Sequence, residues 1–312
     1  GGGKTAARIR GVATLLILCG GIVVVLALAR KNWKQNRGDR KGALRIAIFI
    51  FICTLVNWVG TAHIAPNDAA LFQFFGALQE ALYTAAVFWL LYLALEPAVR
   101  LRWPHSIVTW SRLLAGRWKD PDVAAHVLIG AAAGSVMLVA AYIPDVWLES
   151  GHGYGTAGGL YLLLGTPEWT AAVASRLREA TNFGMLVFFV LFCARTALRR
   201  DWIAAIVTGL IFGMLQSDVA SAMNPGATYV LYSVLYGAMA AVLLRLGLLA
   251  AVSGILFLNL LNAITLGADW TAWNAPTGFA TIAFTLAIAA IAFRYALAGR
   301  GLFGDSMTGA SG

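Results

Sequence analysis

Charge is what this sequence has least of. Only 12% of its 312 residues are Asp, Glu, Lys or Arg, against 60% hydrophobic, where a soluble domain carries about 25% charged residues. A water-soluble domain is thereby excluded, and with a mean hydropathy of +0.76 the chain reads as an integral membrane protein. Acidic residues are the scarcer sign, 14 against 23 Lys and Arg, for a net charge of +9. In a soluble protein that excess would point to nucleic acid. Here it sits in short loops between apolar runs, where it sets topology, and no nucleic-acid partner is expected.

The residues of metal and covalent chemistry are also few. Cys19, Cys53 and Cys193 each fall inside an apolar run, without paired spacing or a nearby His, which suggests neither a disulfide framework nor a zinc site. His63, His105, His126 and His152 form no i, i+4 pair. An intramembrane zinc protease would need clustered Glu and His, and a serine protease a Ser in a Gly-flanked turn with a His partner; neither is present. Ser135 after Gly134 and Ser253 before Gly254 read instead as small residues that let helices approach closely. The opening GGGKT has the letters of a phosphate-binding loop, but no strand precedes it and an apolar run follows, so a linker or clipped end is the better reading. No catalytic, cofactor-binding or metal-binding residue is assigned.

What the sequence does have is long apolar runs. A spanning helix needs about 20 mostly apolar residues, and nine such runs lie at 12–29, 44–62, 71–95, 124–143, 180–198, 202–222, 228–244, 248–266 and 276–297. The expected fold is an all-α polytopic transmembrane bundle of about nine spans. The seventh and eighth runs meet near Arg245, and Pro97 is expected to end the third. If the runs alternate, all Lys and Arg except Lys4, Arg8, Arg10, Arg176 and Arg178 fall on one side, which the positive-inside rule makes cytoplasmic. The expected location is a bacterial inner membrane, with the N-terminus outside and the C-terminus cytoplasmic.

The domain reading follows: an external or clipped segment at 1–11, a transmembrane domain at 12–297 and a cytoplasmic tail at 298–312. Two connections stand out. The external segment 144–178 carries GHGYG at 151–155 and an apolar run at 160–164 too short to span, and reads as a surface loop or shallow re-entrant turn. The cytoplasmic loop 96–123 carries Arg100, Arg102, Arg112, Arg117 and Lys119. Within it Ile107, Trp110, Leu114 and Trp118 recur at helical spacing opposite His105, Arg112 and Lys119. That pattern predicts an amphipathic helix in the interface, with tryptophans at headgroup depth and cations over anionic lipid. Arg100, Arg102, Trp103, Trp110, Arg112, Arg117 and Trp118 are the candidate lipid- or partner-contact residues.

Two acids lie within spans, Glu80 beside Gln79 and Asp218 after Gln216 and Ser217. A charge at that depth costs a few kcal/mol and is a candidate site by default. A proton or cation pathway would need such groups on a shared cavity. The plainer reading has them neutral or hydrogen-bonded between helices, together with Asn57, Asn259 and Asn262.

The loop also carries a resemblance. Leu95-Glu96-Pro97, Arg100, Arg102-Trp103-Pro104, Trp110, Arg112-Leu113-Leu114-Ala115-Gly116-Arg117 and Asp120-Pro121, followed by Val127-Leu128-Ile129-Gly130, look like the C-terminal multi-spanning region of bacterial membrane-bound serine/threonine protein kinases. Arg37-Gly38-Asp39-Arg40 with Gly42-Ala43, and Phe293-Arg294 with Ala296-Leu297-Ala298-Gly299-Arg300, extend the match over nearly the whole chain. Ala125-His126 stand where Arg-Asp is expected, and Asp122 replaces an apolar residue.

The kinase's own motifs are absent, since Phe303-Gly304-Asp305 has the metal-site letters in the wrong order. The resemblance implies a catalytic domain upstream that would bring ATP and Mg, reached through an earlier crossing. The expected role is a membrane anchor and sensor, with the bilayer, anionic headgroups, that kinase domain and a second copy of the chain as candidate partners. A free-standing transporter or channel using Glu80 and Asp218 is the alternative.

Overall fold

In the computed structural model the described residues are 2–35, 37–62, 69–148, 165–216, 224–264, 270–271 and 275–297; for 2–10, 12–18, 69 and 143–148 the backbone alone is described. They form ten α-helices and, among the described residues, no strand. In chain order these are α1 (Gly2–Lys34), α2 (Arg40–Thr61), α3 (Ala69–Arg102), α4 (His105–Leu114), α5 (Pro121–Leu148), α6 (Thr166–Leu198), α7 (Asp201–Leu215), α8 (Pro225–Leu246), α9 (Leu248–Asn262) and α10 (Ala275–Ala296). The all-α polytopic bundle expected from the sequence is the fold observed.

Nine full spans are not. Six helices, from α2, α3, α5, α6, α8 and α10, are long and apolar enough to cross a membrane among the described residues. Helices α7 and α9 have 15 residues each, about 22 Å at the helical rise and short of a hydrocarbon layer of about 30 Å. The runs expected at 202–222 and 248–266 continue into 217–222 and 265–266, which lie outside the described residues. So do the GHGYG segment and the apolar run at 160–164.

Contacts at both ends show the long helices alternating in direction. At one end Asn32 of α1 donates to the Leu93 and Ala94 carbonyls of α3, Arg45 of α2 donates to the Leu114 carbonyl of α4 at 2.8 Å, and Trp118 meets Tyr295 of α10 edge-on. At the other, Asn57 of α2 donates to the Ala171 carbonyl of α6 at 3.2 Å, and Trp169 of α6 to Thr281 of α10 at 3.1 Å. The basic connections gather at the first, or basic, end.

The core centres on α9, which buries most of its residues and packs on α5, α6, α8 and α10. Small residues permit the closest approach, as the Gly134-Ser135 and Ser253-Gly254 pairs predict. A Cβ on Gly130 would strike the Ala250 carbonyl, and one on Gly134 the Gly254 carbonyl.

Three expectations are refined, two at the basic end and one at the far end. Helix α3 runs through Pro97 to Arg102. A proline there removes the N–H that would bond the Leu93 carbonyl and pushes that turn open, and the Asn32 amide supplies the missing donors at 2.9 and 3.1 Å. The break between the seventh and eighth runs, expected near Arg245, lies at Gly247. Gly247 has φ +86, and a Cβ on it would sit 2.6 Å from the Ser106 carbonyl, so the left-handed turn that separates α8 from α9 is also where α4 presses against the bundle. Finally, the external segment 144–178 is helical at both edges. Residues 144–148 end α5 and 166–178 begin α6.

Candidate functional site

The two ends offer different chemistry, and the basic end was the one singled out by sequence. Helix α4 forms there, but its apolar face turns into the protein. Ile107 and Trp110 are buried, as is Trp103 just before the helix, because α2, α3, α5, α8 and α9 all pack against it. Trp103 and Trp110 are therefore covered by protein and unavailable to lipid or a partner. Trp118 lies beyond the helix, half exposed on Tyr295 with the Lys119 ammonium over its ring.

The cations are mostly tied down. Arg112 bonds Asp122 at 2.5 Å and Asp120 at 3.2 Å. The hydrogen bond that Arg112 donates to Asp122, then the charge of Asp120, raises its pKa above the ordinary value. Asp122, which departs from the kinase-like pattern, thus makes an ion pair of its own. His126 Nδ1 lies 2.9 Å from the Thr109 hydroxyl. Arg102 reaches Thr196 at 3.5 Å, and Arg117 is exposed. Arg195, paired with Asp201 at 2.6 Å, lies 4.1 Å over the Trp103 ring.

The first loop docks on the same end. Glu96, only 2% exposed, pairs with Arg100 and accepts the Asp39 backbone N–H at 3.1 Å. Asp39 caps α2 through the Gly42 N–H. A buried carboxylate has to be paired, and this one joins the Arg37-Gly38-Asp39-Arg40 and Leu95-Glu96-Pro97 stretches that sequence reasoning had picked out separately.

The opposite end holds a cavity of about 760 Å³ between α3, α5, α6, α8 and α9, with Gln216 after α7 on its wall. Such a volume falls in the usual range for small-molecule sites, about 300–1,000 Å³. Chain direction sorts its lining by depth. Towards the far end lie Tyr142, Arg178, Glu179, Asn182, Asn259 and Asn262; towards the basic end lie Phe88, Met137, Leu186, Met239 and Ile255. Tyr142 donates to Asn262 at 2.7 Å and Tyr236 to Gln216 at 2.8 Å. Glu179 accepts from Ser175 at 2.9 Å and Arg176 at 3.0 Å.

Arg178 is the least satisfied of these groups. Its side chain is 18% exposed, its one hydrogen bond among the described residues is to Glu80 at 3.4 Å, and its Nε–H has no partner. The Asn182 side-chain oxygen is likewise buried and unpaired. Glu80, expected near the middle of a span, stands on the outside of α3, 64% exposed. Asp218 lies outside the described residues.

Sequence reasoning places Arg176 and Arg178 in the external segment 144–178 and does not put them on a helix that borders a cavity. A signal was present: Thr166-Pro167-Glu168, with proline in the first turn and an acid beside it, is a helix start, and it puts Arg178 and Asn182 one turn apart on a single helix. Among the described residues no group of three His, Cys, Asp or Glu could hold a metal ion. No protein-family model, curated protein or solved structure matches this chain.

Proposed function

We propose that the chain is the membrane anchor and sensor of a signalling protein, binding a ligand at the far end and presenting a rigid basic face to the cytoplasm. The observation that carries the reading is the cavity: a volume of ligand size with a polar rim, an apolar floor and an under-coordinated guanidinium. Helix α6 connects the two ends, from Arg178 on the cavity to Arg195 over Trp103. A ligand that bound two packings of α6 unequally would shift what the basic end does.

Positive-inside reasoning makes the basic end cytoplasmic in a bacterial inner membrane, with all nine runs crossing. The link to a serine/threonine kinase rests on the motif resemblance, and ATP and Mg would belong to that catalytic domain. Arg100, Arg102 and Arg117, which are exposed, are the contacts for anionic headgroups or the kinase domain. A second copy of the chain remains a candidate partner.

The gene provides one test. A kinase domain encoded in frame with this chain is expected; a gene encoding the membrane chain alone overturns the kinase part. The sensing part is tested by Leu186→Trp, which fills the cavity. In the full-length protein in membranes it is expected to change autophosphorylation severalfold, and unchanged output would count against it. The transporter alternative needs a polar path from end to end; the lining nearest the basic end, Phe88, Met137, Leu186, Met239 and Ile255, is apolar, which favours binding.

A further inference from the structure

Arg178 sets the class of ligand. A guanidinium offers five N–H donors in a planar fork that matches carboxylate and phosphate. Here one donor makes a long bond to an exposed acid, and the Nε–H is buried without an acceptor. A buried donor left unmade is costly, and an anion arriving from the cavity side would satisfy the fork. The carboxylate on the wall, Glu179, is already bonded by Arg176 and Ser175, so it opposes an incoming anion less than a free acid would. Asn259 makes no hydrogen bond among the described residues, leaving its amide to a ligand.

Depth sets the ligand's shape. From Arg100 to Glu80 along α3 is about 30 Å at the helical rise, close to the thickness of a hydrocarbon layer. With Arg100 placed at one membrane interface, the Glu80–Arg178 pair falls near the other, at headgroup level of the leaflet farther from the basic end. Below it the lining turns to Phe88, Met137, Leu186, Met239 and Ile255. Polar at headgroup level and apolar beneath is the arrangement of a lipid in that leaflet.

We infer that the cavity binds an anionic amphiphile, an acyl chain bearing a carboxylate or phosphate head, with the head on Arg178 in place of Glu80 and the chain against the apolar floor. The inference rests on the reading of the cavity as a ligand site. Glu80 then acts as a competitor: it keeps Arg178 partnered when the cavity is empty and swings out towards solvent when the head arrives.

The test uses the purified chain in phosphatidylcholine nanodiscs with a photoactivatable palmitic acid as probe, and oleate, oleyl alcohol, phosphatidylglycerol and inorganic phosphate as competitors. Labelling is expected on α6 and α9. Oleate or phosphatidylglycerol should compete at least tenfold better than oleyl alcohol, and which of the two is stronger tells a free fatty acid from a phospholipid. Arg178→Gln should weaken the probe at least tenfold, Arg178→Lys less, and Glu80→Gln should tighten it severalfold by removing the competing carboxylate.

Oleyl alcohol equal to oleate would overturn the anionic head, and it decides the matter on the unmutated protein should Arg178→Gln fail to fold. Competition by millimolar phosphate as strong as by oleate would overturn the acyl chain. Loss of labelling in Leu186→Trp together with either of those results leaves the cavity a ligand site of another class. Labelling unchanged by Leu186→Trp overturns the cavity reading itself.

Discussion

At the basic end an arginine, Arg195, lies on the Trp103 ring and pairs with Asp201, while at the far end Arg178 borders a cavity with one long bond to Glu80. Both ends bring cations, acids and aromatics together, and both leave polar atoms unpaired: Trp110 Nε1 and Ser111 Oγ at one, Arg178 Nε and Asn182 Oδ1 at the other. Of these four groups, only Arg178 and Asn182 belong to residues lining a described cavity. At the basic end α4 fills the space between helix ends, so unsatisfied groups there are closed off by packing. The far end has no such plug among the described residues. Similar composition becomes a platform in one place and a binding site in the other, according to what occupies the middle.

The comparison breaks most sharply if the basic end is not rigid. Trp103→Ala should destabilise the protein by about 3–5 kcal/mol, the usual cost of emptying a buried aromatic site; thermal unfolding in detergent, followed by size-exclusion profile, reads it, and a shift of a degree or less would mean α4 does not hold the bundle. Gly134→Ala tests the contact shared by both ends. Forcing a methyl onto the Gly254 carbonyl should cost about 1–3 kcal/mol, measured in the same way, with no loss expected for Gly76→Ala, where nothing stands near.

A smaller effect is expected at Asn32. Asn32→Ala strands the Leu93 carbonyl at the proline, costing about 1–2 kcal/mol, and faster amide hydrogen exchange around the Pro97 turn should accompany it. The far end should respond with the opposite sign. Asn182→Leu removes an unpaired buried amide oxygen, so stability should rise by up to about 1 kcal/mol while binding of the photoactivatable palmitic acid falls. A stability loss of the size seen for Trp103→Ala would show that the far end is structural after all.

Much of the fold was legible because lipid imposes one rule: every backbone polar group must be satisfied within its own segment. Apolar runs of the right length are therefore helices, and each of the nine runs overlaps a described helix, although α1, α3 and α6 extend well beyond theirs. Loop charges likewise sorted the ends, as Arg45, Arg195 and Arg245 illustrate. The failures have specific causes. Pro97 was read as a stop from its missing N–H, but the donor that replaces it comes from Asn32, far away in sequence. The stripe of Ile107 and Trp110 was assigned to lipid, since periodicity reports an apolar face and not what covers it. Arg178 was assigned to a loop because charge outweighed the helix-start residues before it.

By itself, then, the sequence determined that this is a polytopic helical protein, which end of the bundle is basic, and which small residues permit close packing. These depend on local composition, to which the bilayer or the neighbouring helix responds directly. Only the tertiary structure decided that α4 is a plug and that Arg178 borders a cavity. A cavity is the space left between five helices, and no single segment encodes the shape of what it fails to fill.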